Sequence, residues 1–226
     1  MSTSPMSTLT ERLAAIRSRV DAACARAGRA PGTVTLVAVS KLKPGALIRE
    51  AYAAGQRDFG ENYAQELRDK AVELGDLEGL RWHAIGPLQT NKVKYVAKVA
   101  HAYHALERLE VAQELSRRRL DAPLPCHVEV NVGGEASKSG LAPEALGPFL
   151  DAVRALPGLR VEGLMTLPPP TDDEGRARGY FRALRELAGS HGLPGLSMGT
   201  THDFELAIEE GATLVRVGTA LFGERG

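Results

Sequence analysis

Short apolar runs alternate with stretches of helical periodicity along almost the whole chain. Leu13, Ile16, Arg17 and Val20 fall at helical spacing after Thr10, a candidate N-cap. They predict a helix over residues 9–27, ended by Ala30-Pro31-Gly32. The run TLVAVSK at 35–41 is continuous and apolar almost to its end, as a strand covered on both faces must be. Pro44 suits the first turn of the next helix, and Gly55 suits its end. The alternation then recurs. Strands are predicted at 57–62, 81–86, 102–106, 125–132, 160–167, 193–199 and 213–223. Helices at 63–74, 89–99, 108–119, 143–155, 172–189 and 202–210 separate them.

Eight strands, each but the last followed by a helix, predict an α/β fold: a single (β/α)8 TIM barrel. The helix before the first strand is extra. It is expected to fill the place of the absent last helix or to cap the barrel. The competing architecture is an open doubly wound sheet, but no G-x-G-x-x-G follows the first strand. Residues 1–8 are read as a disordered lead-in and 9–226 as one barrel domain.

Composition narrows the function classes. The 226 residues carry 28 Lys plus Arg and 28 Asp plus Glu, so there is no basic excess for nucleic acid. Arg117-Arg118-Arg119 reads as a solvated helix face. Cys24 and Cys126 lack metal-ligand spacing and are expected to be buried free thiols, which suits a cytoplasmic location. No metal site is expected. The N-terminus lacks the pattern of a signal peptide, and no apolar stretch approaches membrane-spanning length.

Barrel chemistry belongs at the C-terminal ends of the strands. Lys41 ends the first apolar run there, where desolvation favours the neutral amine that a Schiff base with a carbonyl requires. Position alone leaves a snorkelling lysine open. The turns after strands seven and eight, Ser197-Met198-Gly199-Thr200-Thr201 and Arg216-Val217-Gly218-Thr219, offer hydroxyls, glycines and a helix start suited to a phosphate. Each turn alone is also explained by ordinary capping. Arg216 interrupts an apolar strand and must be paired or bind a ligand. Asn62 and His83 stand at the ends of strands two and three. The other histidines are read as structural or exposed.

Ordered blocks of the sequence then carry a resemblance. They are Ala38-Val39-Ser40-Lys41, Phe59-Gly60-Glu61-Asn62-Tyr63, Trp82-His83-Ala84-Ile85-Gly86-Pro87, Ser137-Lys138-Ser139-Gly140, Gly163-Leu164-Met165, Leu196-Ser197-Met198-Gly199 and Val215-Arg216-Val217-Gly218-Thr219. The chain resembles the pyridoxal phosphate homeostasis protein family from about residue 9 to 225. The resemblance implies a barrel of the alanine racemase N-terminal domain type. It implies pyridoxal 5′-phosphate (PLP) held as a Schiff base on Lys41, with phosphate contacts at Ser197, Thr200 or Thr201, Gly218 and Thr219. Asn62 and Arg216 would line the pocket, with Arg216 near the pyridine nitrogen; His83, from its position alone, either reaches the same mouth to meet the cofactor or is a satisfied core histidine. Thr200-Thr201 stands where family members often read Met-Ser, which leaves open which hydroxyl meets the phosphate.

The implied function is a PLP carrier without turnover. It would buffer and deliver the cofactor, serve vitamin B6 and amino- and keto-acid homeostasis, and partner apo PLP-dependent enzymes. A monomer without catalytic residues is expected, with Lys138 in a surface ion pair. The alternative is a PLP-dependent amino-acid racemase. That fold adds a C-terminal β-domain and a tyrosine base, neither of which the sequence pattern supplies. A cofactor-free Schiff-base aldolase would leave the phosphate-like turns unexplained.

Overall fold

The computed structural model describes residues 7–135 and 139–223. Lys138 therefore lies outside the described residues, as does most of the expected lead-in. Eight strands, β1 (Thr35–Val39), β2 (Asp58–Glu61), β3 (Arg81–Ala84), β4 (Ala102–Leu106), β5 (Leu124–Glu129), β6 (Leu159–Met165), β7 (Gly195–Ser197) and β8 (Leu214–Val217), close into a parallel barrel in chain order. β8 pairs with β1, Arg216 lying opposite Val37. The helices α1 (Leu9–Arg26), α2 (Gly45–Ala53), α3 (Ala64–Glu73), α4 (Val93–Val99), α5 (Leu109–Arg117), α6 (Leu146–Arg154), α7 (Glu174–Ser190) and α8 (Phe204–Glu209) form the outer layer.

Thr8, not Thr10, caps α1. Its Oγ1 accepts from the Glu11 amide, and Glu11 accepts from the Thr8 amide in return, so two otherwise orphaned donors are satisfied. The capped start places Thr8 in the folded domain rather than in the lead-in. The buried face of α1 carries Leu9, Leu13, Ile16 and Val20 and packs beside α2 and α8. α1 thus fills the gap in the outer ring.

The last predicted strand is too long. β8 ends at Val217, and Thr219–Phe222 forms a short helix, α9. The Gly218 carbonyl accepts from the Leu221 and Phe222 amides. Arg12 Nε donates to the Leu221 carbonyl and ties this helix to α1.

The barrel interior is polar where branched aliphatics usually sit. His104 and His127 are fully buried, and their rings stack with centroids 5.0 Å apart. Glycines on the facing strands make the room. A Cβ on Gly195 would lie 2.8 Å from His127 Nε2, and one on Gly163 would lie 2.0 Å from the Gly195 carbonyl oxygen. Burial lowers His127 to about 3, with the Arg216 cation adding repulsion. The unfolded chain takes up this proton near pH 6.5 and the folded chain does not, so His127 subtracts stability as pH falls below 6.5. Replacing His127 with Phe should therefore raise stability at pH 5 by about 2 kcal/mol more than at pH 8. Denaturant titrations at the two pH values check this. An equal effect at both would refute it.

Candidate functional site

A cavity of about 230 Å³ opens at the C-terminal end of the barrel. Lys41, Asn62, Thr200, Thr201, Arg216, Gly218 and Thr219 line it, with Val39, Ile85 and Leu167 as apolar wall and His202 at the rim. Two sequence-predicted residues are elsewhere. Ser197 is buried on β7, and its hydroxyl is taken up by Arg216 and His104. The His83 ring bonds Asp58 and His104, and the residue borders a different cavity with Arg81 and Thr35.

Lys41 follows β1 in a turn and is part-buried. The chain on either side of it is clamped. Lys70 Nζ donates to the Ser40 carbonyl at 2.6 Å, to Glu61 Oε1 at 2.6 Å and to Glu66 Oε1 at 2.7 Å. The Ser40 hydroxyl donates to Glu61 Oε1 at 2.7 Å. Glu66 Oε1 also accepts from the Leu42 amide at 2.6 Å. Leu42 has φ +59, a left-handed conformation that costs a side-chain-bearing residue roughly 1–2 kcal/mol. One ion cluster thus holds the residue before Lys41 and the residue after it. Burial pushes the Glu61 carboxyl up, against the opposing bonds from Lys70 and Ser40. Lys43 points back, its Nζ donating to the Gly223 carbonyl at 3.2 Å.

Asn62 forms the wall opposite. Its Oδ1 is buried without a hydrogen-bond partner among the described residues. Gly86 permits its placement, since a Cβ there would lie 2.3 Å from the Asn62 carbonyl oxygen. Arg216 is 3% exposed. Its Nη1 donates to Ser197 Oγ at 2.5 Å and its Nη2 to the Thr166 carbonyl at 2.9 Å. Burial lowers Arg216 to about 10, with Glu129 and Asp203 opposing, so it remains a cation at neutral pH.

The two turns form a cradle. Gly199 has φ +95, and a Cβ there would lie 2.6 Å from the Ala207 Cβ, so glycine is required. A Cβ on Gly218 would approach Val39 at 3.3 Å, so the turn after β8 sits tight against β1. The Thr200 amide donates to Asp203 Oδ1 at 2.7 Å. Thr201 Oγ1 instead lies 3.5 Å from the Ala220 amide, at the start of α9. The donor set suits a ligand with a carbonyl near Lys41, an anionic group at the cradle and an acceptor atom facing Arg216.

Comparison with known proteins places this geometry. The family model described as alanine racemase, N-terminal domain, matches residues 12–226. The pyridoxal phosphate homeostasis protein of Pseudomonas aeruginosa is 51% identical over 224 residues, covering 97% of each chain. The chain belongs to the pyridoxal phosphate homeostasis protein family. The Aquifex aeolicus member is 46% identical and covers 95% of this chain and 97% of its own. PipY of Synechococcus elongatus, solved with PLP bound, is 36% identical with a TM-score of 0.85, covering 96% of this chain and all of its own (100%). Alanine racemase of E. faecalis shares the fold alone, at 17% identity and a TM-score of 0.69. The match covers 93% of this chain and 58% of the racemase.

The clamp around Lys41 was invisible as such in the sequence. Lys70 reads there as an ordinary helix lysine four residues after Glu66. Replacing Lys70 with Met should cost about 3–5 kcal/mol of unfolding free energy, because it strands buried Glu61. The double variant with Glu61→Gln should recover part of that loss. Urea titrations check both, and a Lys70→Met protein as stable as wild type would contradict the clamp.

Proposed function

We propose that this chain binds PLP in the Lys41 cavity, holds it covalently as a Schiff base on Lys41, and buffers and delivers it to apo-enzymes rather than turning over a substrate. The observation that carries the reading is the convergence of Lys41, Asn62, Arg216 and the Thr201–Thr219 cradle on one cavity. The orphaned Asn62 Oδ1 and the glycine-shaped cradle fit the cofactor's polar groups. The name borne by the family's members supports the same role.

Each residue has a defined task in this reading. Lys41 supplies the amine, and the clamp at Ser40 and Leu42 fixes its backbone. Thr201 Oγ1 and the first amides of α9 receive the phosphate. Thr200 contributes less, because its amide is already engaged by Asp203. PLP, when bound, supplies an aldehyde and an aromatic ring able to accept electrons. Arg216 restrains that second property. A guanidinium has donors only, so it disfavours protonation of a ring nitrogen facing it. An unprotonated ring is a poor electron sink, which suits storage better than racemisation. The reading places the protein in the cytoplasm and leaves the described cavity complete within one chain.

The purified protein should be yellow or turn yellow with added PLP. Borohydride should bleach it and leave a pyridoxyl mass on the peptide containing Lys41. Lys41→Ala should lose the covalent adduct. A protein that takes up no PLP would refute the proposal. Steady racemisation of alanine at about 1–1,000 per second would refute the absence of turnover.

A further inference from the structure

Among the described residues Arg216 has no carboxylate hydrogen-bond partner, yet its charge is buried. Its Nη1 opens a chain of contacts that continues down the barrel. Ser197 Oγ lies 2.7 Å from His104 Nδ1. His104 Nε2 lies 2.8 Å from His83 Nδ1. His83 Nε2 lies 2.8 Å from Asp58 Oδ1. Asp58 ends the chain in a two-pronged contact with Arg81, at 2.9 and 2.6 Å. Ser197, His104 and His83 are buried.

Donor counting sets the direction of each link. A guanidinium only donates, so Ser197 Oγ accepts from Arg216. The Ser197 hydroxyl hydrogen then goes to its other partner, His104 Nδ1. Burial holds His104 well below its ordinary value, with the Arg216 cation adding repulsion, so the ring is neutral. Its single proton is therefore on Nε2 and is donated to His83 Nδ1. His83 must then carry its proton on Nε2, where Asp58 accepts it. Burial raises the Asp58 carboxyl, but bonds from His83 and Arg81 outweigh this and lower it to about 2, so the chain ends on an anion. All links point the same way, from the cation beside the cavity to the carboxylate at the far end. A proton on His83 Nδ1 would force His104 to donate from Nδ1, leaving the Ser197 hydroxyl hydrogen without its acceptor.

We propose that Ser197, His104, His83 and Asp58 are positioning residues for Arg216: a one-way hydrogen-bonded chain through the barrel that fixes the guanidinium edge presented to the cavity. None of the four lines that cavity. The stacked His127 ring shields the chain from the side. The bonded chain itself needs no ligand. Its effect on cofactor binding rests on the reading of Arg216 given above.

The experiment uses the full chain labelled with ¹⁵N-histidine, free and with PLP. Long-range ¹H–¹⁵N spectra should show a proton on Nε2 of both His83 and His104 and none on Nδ1 of either ring. A proton on Nδ1 of either ring would overturn the chain, whether or not PLP binds. Ser197→Ala should disturb the His104 signals, shift the absorbance band of the PLP-loaded protein and weaken PLP binding about tenfold or more, as expected for losing a bond to a charged group. Ser197→Thr, which keeps the hydroxyl, should restore all three. Ser197→Ala that folds and binds PLP with wild-type affinity and spectrum would overturn the positioning role. If Ser197→Ala does not fold, the wild-type tautomers still decide the direction of the chain. If wild type takes up no PLP, the cofactor reading fails while the tautomers still test the chain.

Discussion

A guanidinium sealed inside a closed barrel cannot rely on water, so every N–H must find an acceptor in the protein or in a ligand. Arg216 imposes this demand on the whole interior. Its Nη1 is met by Ser197 and its Nη2 by the Thr166 carbonyl. Meeting the first need places polar groups down the barrel, and those groups need room. Gly195 supplies it beside His127, where a Cβ would lie 2.8 Å from Nε2, and Gly163 lets the Gly195 backbone come close, its own Cβ falling 2.0 Å from that carbonyl oxygen. The contiguous apolar core joins strand residues such as Phe59, Val128 and Val215 to helix residues such as Ile48, Leu115 and Leu150.

The site at the other side of the cavity is built by a different means. There a lysine must be reachable yet fixed, so its backbone is clamped rather than its side chain. Lys70 and the two glutamates hold Ser40 and Leu42 while the Lys41 side chain remains part-buried at the cavity. The left-handed Leu42 is the cost of turning the chain there, and the Glu66 contact offsets it. Rigid ends with the Lys41 amine between them suit a site that takes up and releases a carbonyl compound.

Much of this was legible in the sequence, for identifiable reasons. Buried parallel strands read as apolar runs, and the outer helices show helical spacing, so the barrel and the extra α1 were both predicted. Lys41, Asn62, Arg216 and the threonines sit at strand ends, where barrel topology alone assigns them to one mouth. Height along the barrel axis was not legible. Ser197 and His83 lie close to strand ends yet their side chains turn into the interior, because a strand alternates faces with every residue. α9 was missed because Thr219–Phe222 continues the apolar run of β8 without a break beyond Gly218. Lys70 and Glu66 carry no motif, since an i,i+4 pair on a helix is common on exposed surfaces.

In the proposed complex one cavity binds PLP through Lys41, with Arg216 facing the ring and the Thr201–Thr219 cradle taking the phosphate. A crystal structure of the PLP-loaded full chain decides whether this arrangement forms. Density should run continuously from Lys41 Nζ, with the ring nitrogen within hydrogen-bond reach of Arg216 and the phosphate against Thr201 and the start of α9. PLP attached to another lysine, or seated with its phosphate away from that cradle, would contradict it.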